Sequence, residues 1–118
     1  MDIIKQAKTE MNNNFRPKLV NPLESIAQYD TIFIGYPIWY GRSPMAVYTF
    51  FESFDFTNKN VYLFCTNEGS GQSGTFTHIH NILNKANVST NGLAMQGTQT
   101  RSPNAKQAVE TWLKKLKF

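Results

Sequence analysis

The chain has 118 residues, 41% of them hydrophobic, with nine Phe, five Tyr, two Trp and a net charge of +4. That length suits a single domain or part of one, with apolar mass for a real core; no run approaches the uninterrupted apolar length of a membrane span. The opening MDIIKQAKTE lacks the apolar stretch of a secretory signal, and Cys65 is alone, so no disulfide framework forms and a cytoplasmic setting is expected.

Residues 2–12 carry Ile3, Ile4, Ala7 and Met11 on one face, which predicts an amphipathic helix. After NNNFRPKLV, Asn21-Pro22-Leu23-Glu24 reads as an N-cap, a proline at N1 and a glutamate at N3, opening a short helix to about Gln28. Thr31–Gly35 is a continuous apolar run, as expected of a strand buried on both faces. Ser43-Pro44 again reads as N-cap plus N1, for a helix over Met45–Phe54. Val61–Thr66 is a second buried strand, followed by the loop NEGSGQSG. A helix over 76–86 follows, with Phe76, Ile79, Ile82 and Leu83 on one face, then a weaker strand at Leu93–Gln96. Ser102-Pro103 starts a last helix whose Ala105, Ala108, Val109, Trp112, Leu113 and Leu116 form a stripe.

Strands alternating with helices imply right-handed crossovers and a three-layer α/β domain: a parallel sheet with helices on both faces. In that architecture ligands bind outside the carboxyl ends of the strands. Two loops of unusual composition leave such ends, residues 36–43 and 66–74. A lone Trp39-Tyr40 pair is more often plain helix packing. Its place after a buried strand, beside a second loop, favours a wall for a flat ligand. The Gly/Ser loop reads equally as a ligand cradle or a flexible connector.

Other groups carry less. Cys65 reads as a small buried hydrophobe. His78 and His80 stand two apart on a helix and cannot share a metal. No metal cluster and no Ser-His-Asp set can be argued, so no catalytic side chain is named. The positive charge gathers mostly in Lys114, Lys115 and Lys117, where it suits a helix C-terminus. No basic stripe interleaves with the aromatics, so no nucleic-acid partner and no membrane partner are expected.

The stretch YDTIFIGYPIWYGRSP…VYLFCTNEGSGQSGT resembles the middle of the flavodoxin-like family, in its short bacterial branch. The resemblance runs from about Arg16 to the C-terminus. It implies an FMN site in which Pro37, Ile38, Trp39, Tyr40 and Gly41 pack against the isoalloxazine ring. Thr66, Asn67, Glu68, Gly69, Ser70 and Gly71 would then embrace its pyrimidine edge, with glycine N–H groups approaching the ring closely. It implies electron transfer or oxidoreduction, with a redox protein or a nicotinamide nucleotide as exchange partner. A complete family fold has five parallel strands, and a Ser/Thr-rich loop after the first holds the FMN phosphate. No such unit precedes Thr31, so residues 1–118 read as a single, N-terminally truncated domain of that fold. Without the phosphate loop, tight FMN binding by this chain alone is not expected. The family's first strand would lie beside Thr31–Gly35, so that edge is expected to be covered, by a homo-oligomer first of all. The alternative expectation is a truncated domain that binds FMN weakly or not at all and serves as an interaction module.

Overall fold

The computed structural model describes residues 3–19 and 23–116. Helix α1 (Ile3–Asn12) precedes strand β1 (Thr31–Pro37), helix α2 (Met45–Ser53) and strand β2 (Asn60–Asn67). Helix α3 (Thr75–Ile82), strands β3 (Asn87–Val88) and β4 (Leu93–Gln96), the single turn α4 (Gly97–Thr100) and helix α5 (Ala105–Leu116) complete it.

Among the described residues the strands β1 to β4 pair only in parallel. β1 runs beside β2 from Thr31↔Asn60 to Pro37↔Thr66. β3 pairs with the start of β2 and β4 with its end, Phe64↔Leu93 to Asn67↔Gln96. Together β3 and β4 line the far side of β2, interrupted at residues 89–92. At that break Gly92 lies so close to the sheet that a Cβ would stand 2.7 Å from the Leu63 carbonyl oxygen. The Trp112 indole N–H fastens α5 there, donating to the Asn91 carbonyl at 2.9 Å.

The alternation of each strand divides the sheet into two unlike faces. Ile34, Tyr36, Val61, Leu63 and Cys65 are buried in one core with Phe51 of α2 and Phe76 and Ile79 of α3. On the other face Phe33, Tyr62, Phe64 and Trp112 form a chain of ring contacts, with Trp112 reaching the sheet from α5. Helices therefore flank both sides, as the three-layer reading requires. Neither β1 nor β2 is buried on both faces, however: Phe33 of β1 keeps 36% of its surface exposed and Phe64 of β2 keeps 40%. The reason is thin cover, since only one residue of α5, Trp112, is buried, while Ala108 and Val109 of the apolar stripe remain exposed.

Several boundaries move. Asn21 and Pro22 lie outside the described residues, and Leu23–Gln28 forms no helix. There the Ser25 hydroxyl accepts the Ala27 N–H and Ile26 C=O accepts the Tyr29 N–H, so local turns replace helical bonds. Ile26, 4% exposed, anchors this stretch in the core. Pro44, not Ser43, holds the N-cap position of α2. α3 ends at Ile82, four residues early, because the chain must reach β3, and Ile82 itself is 38% exposed. At the last helix, Ser102 accepts the Asn104 N–H in a turn and α5 begins only at Ala105.

Candidate functional site

The pairing Pro37↔Thr66 brings the two unusual loops out of the sheet side by side. One more ladder bond, Ile38 N–H to Thr66 C=O at 2.9 Å, ties the first loop to the second strand. The chain then reverses within four residues. Trp39 and Arg42 exchange both backbone hydrogen bonds, at 2.8 and 3.1 Å, across Tyr40 (φ 52°) and Gly41 (φ 75°). Two left-handed residues between paired flanks make the tight hairpin that otherwise favours Asn-Gly. Tyr40 thus sits in a conformation that side chains resist, costing about 1 kcal/mol. The hairpin leaves Trp39 42% and Tyr40 45% exposed. They are not core-packing aromatics.

The second loop is organised by side chains. Asn67 is buried at the end of β2, and its Oδ1 accepts the N–H groups of Gly69 at 2.8 Å and Gly71 at 3.1 Å. These glycine amides are engaged within the loop. The backbone is left-handed at Gly71, Ser73 and Gly74. Beyond Gly41 and Gly71 a Cβ would meet nothing within 4 Å, so open space lies against both loops.

A third segment belongs here that sequence reasoning missed. Asn67↔Gln96 sets the end of β4 beside the second loop, and the Glu68 carboxylate lies over Gly97, where a Cβ would stand 2.6 Å from Oε1. Gln99 Oε1 accepts the Gln96 N–H at 2.7 Å, closing the turn. The available signal was Gly97 itself, a glycine directly after the strand Leu93–Gln96, at a third carboxyl end.

Behind the loops, the Tyr36 and Thr75 hydroxyls share a buried hydrogen bond of 2.8 Å that joins β1 to the start of α3. Burial pushes the Tyr36 phenol well above its usual range, although the bond to Thr75 opposes this. Burial likewise raises the Cys65 thiol. Ser43, 1% exposed, has an Oγ with no partner. His78 and His80 are exposed, and among the described residues no His, Cys, Asp and Glu cluster could hold a metal. Among them, too, no helix is long and apolar enough to cross a membrane.

The fold and the paired loops define a parallel α/β protein with open space at the carboxyl ends of its strands, and the comparisons give its family. The flavodoxin family model matches residues 2–116, and the chain belongs to the flavodoxin family. It is 31% identical to a crystallised protein of Bacteroides uniformis ATCC 8492 assigned as a flavoprotein; the TM-score is 0.78, over 96% of this chain and 69% of that one. A second such protein, from Bacteroides eggerthii DSM 20697, is 28% identical with the same TM-score, over 96% of this chain and 67% of that one. A flavoprotein of Lactobacillus acidophilus NCFM, crystallised in complex with FMN, is 21% identical with a TM-score of 0.61, over 83% of this chain and 65% of that one, a likeness of fold alone. No curated protein matches the sequence.

The residues present suit one half of FMN. Exposed aromatics beside open glycines fit a flat ring. The start of α3 does not suit the phosphate: Gln72 Oε1 already accepts the Phe76 N–H at 2.9 Å, and Gln72 C=O accepts that of Thr75 at 3.0 Å.

Proposed function

We propose that the two loops receive the isoalloxazine ring of FMN and that the chain serves electron transfer or oxidoreduction. The observation that carries this reading is the register Pro37↔Thr66, which sets an aromatic hairpin against a glycine-rich loop at adjacent strand ends. Trp39 and Tyr40 offer the stacking wall, shaped by Pro37, Ile38 and Gly41. Thr66, Glu68, Gly69, Ser70 and Gly71 line the pyrimidine edge, with Asn67 behind them holding the loop. FMN, when bound, supplies the redox chemistry; the side chains orient the ring and shield it from water, and none acts as an acid or base. A redox protein or a nicotinamide nucleotide is the exchange partner, and the cytoplasm is the setting. The test is an absorption spectrum of the purified protein after incubation with FMN and dialysis. A retained flavin band is expected; a colourless protein sinks the reading.

A second reading has its own observation. Among the described residues β2 is the sole strand neighbour of β1. Beside β1 opens a groove of about 330 Å³ lined by Ile32, Ile34, Gly35, Ala46, Val47 and Phe50. Proteins seldom leave so apolar an edge uncovered. A second copy of the chain covers it in this reading, and the domain acts as a homodimeric interaction module with weak or no FMN binding. Sedimentation equilibrium decides: a dimer is expected, and a monomer at every concentration contradicts it.

A further inference from the structure

Loop 67–76 is fastened from within by two carboxamides. Asn67, 7% exposed, ends β2 and gathers two glycine N–H groups on one oxygen. Gln72 closes the other end, its Oε1 on the Phe76 N–H and its carbonyl on that of Thr75, where Gly74 has no side chain to cap α3. Between these clasps the backbone takes φ values of 119° at Gly69, 65° at Gly71, 53° at Ser73 and 73° at Gly74. An unfastened chain of this composition would populate that path rarely, because fixing each residue's backbone costs conformational entropy. A loop ordered beforehand does not levy that cost on binding.

We propose that Asn67 is a positioning residue: its carboxamide pre-forms the ring-edge wall, and its Oδ1 serves the loop instead of the ligand. The claim deepens the flavin reading and rests on it only for its binding arm. Its core concerns the ligand-free protein. The Oδ1 geometry asks for an acceptor at this position, which Asp keeps and Ala removes. Gln72 does the same for the helix start from outside the sheet.

The test combines amide hydrogen exchange in the ligand-free protein with FMN titration. In Asn67→Ala the amides of Gly69 and Gly71 should exchange about tenfold faster, while those of β1 and β2 hold, and the FMN Kd should rise about tenfold. Asn67→Asp should exchange like the parent. Unchanged exchange in Asn67→Ala overturns the proposal, and so does a weaker Kd with unchanged exchange, which would mean direct contact with the ligand. Gln72→Ala gives an independent reading should the sheet variant fail to fold: Phe76 N–H should exchange about tenfold faster, and an unchanged rate contradicts the clasp. If the parent binds no FMN, the flavin reading fails alone, because the exchange comparison still decides the rest.

Discussion

In the hairpin 38–42 the backbone holds the shape, through the reciprocal Trp39–Arg42 bonds and the ladder bond from Ile38, while Trp39 and Tyr40 stay exposed. In the loop 67–74 the order is reversed: Asn67 Oδ1 holds the backbone of Gly69 and Gly71. The difference teaches where each wall is vulnerable. The first should be sensitive to conformational restriction at its turn and tolerant of side-chain change. The second should hinge on one carboxamide.

The largest expected effect removes the floor both loops share. Leu63 is fully buried in the middle of β2, and Leu63→Ala should cost about 2–5 kcal/mol in denaturant unfolding. Both walls should then loosen together; if one survives intact, they do not stand on a common core. Next, Gly41→Val forces a branched side chain into φ 75°, with an expected loss of about 1–2 kcal/mol. Amide exchange should quicken at Trp39 and Arg42 but not at Gly69, and the opposite pattern would erase the contrast between the loops.

Smaller still is Tyr36→Phe, which strands the buried Thr75 hydroxyl and should cost about 1 kcal/mol near neutral pH. The same residue sets an alkaline limb. In the fold the phenol stays protonated, its pKa raised from 10.0, whereas in the unfolded chain it ionises near that value. Its contribution is thus intact below pH 10 and is lost progressively above it. Cys65, raised from 9.0 by burial, begins the decline about one unit earlier. Unfolding midpoints measured from pH 8 to 11 should fall, and Tyr36→Phe should flatten the upper part of that fall.

The legible part of this molecule was whatever hydrophobic pattern and breakers encode. TIFIG, VYLFCT and the stripe of α5 announce two strands and a helix, and GYPIWYG announces an aromatic turn at a strand end. What stayed hidden depends on partners distant in sequence. Phe33 and Ile34 look alike in the chain, yet only Ile34 meets a full helical layer. Gly35 looks like a strand terminator, but it lies inside β1 because the Phe64 ring crosses over it and fills the place of a Cβ. Asn21-Pro22-Leu23-Glu24 carries the marks of a helix start, but turn bonds at Ser25 and Ile26 compete successfully over so short a run. The third segment, Gln96–Gly97, was passed over although its strand was expected, because the pairing that sets it beside Asn67 is a tertiary fact.

The central claim is that a flat ring settles against Trp39 between these loops, and the two tryptophans allow a direct check. Trp112 lies buried against Phe33 and Phe64 on the α5 side of the sheet, whereas Trp39 stands exposed on the hairpin. Tryptophan fluorescence should therefore be followed during FMN titration in the parent and in Trp39→Leu, with corrections for absorption by the flavin. The account predicts saturable quenching in the parent that is largely lost in Trp39→Leu. No saturable quenching, or equal quenching in both proteins, would contradict it.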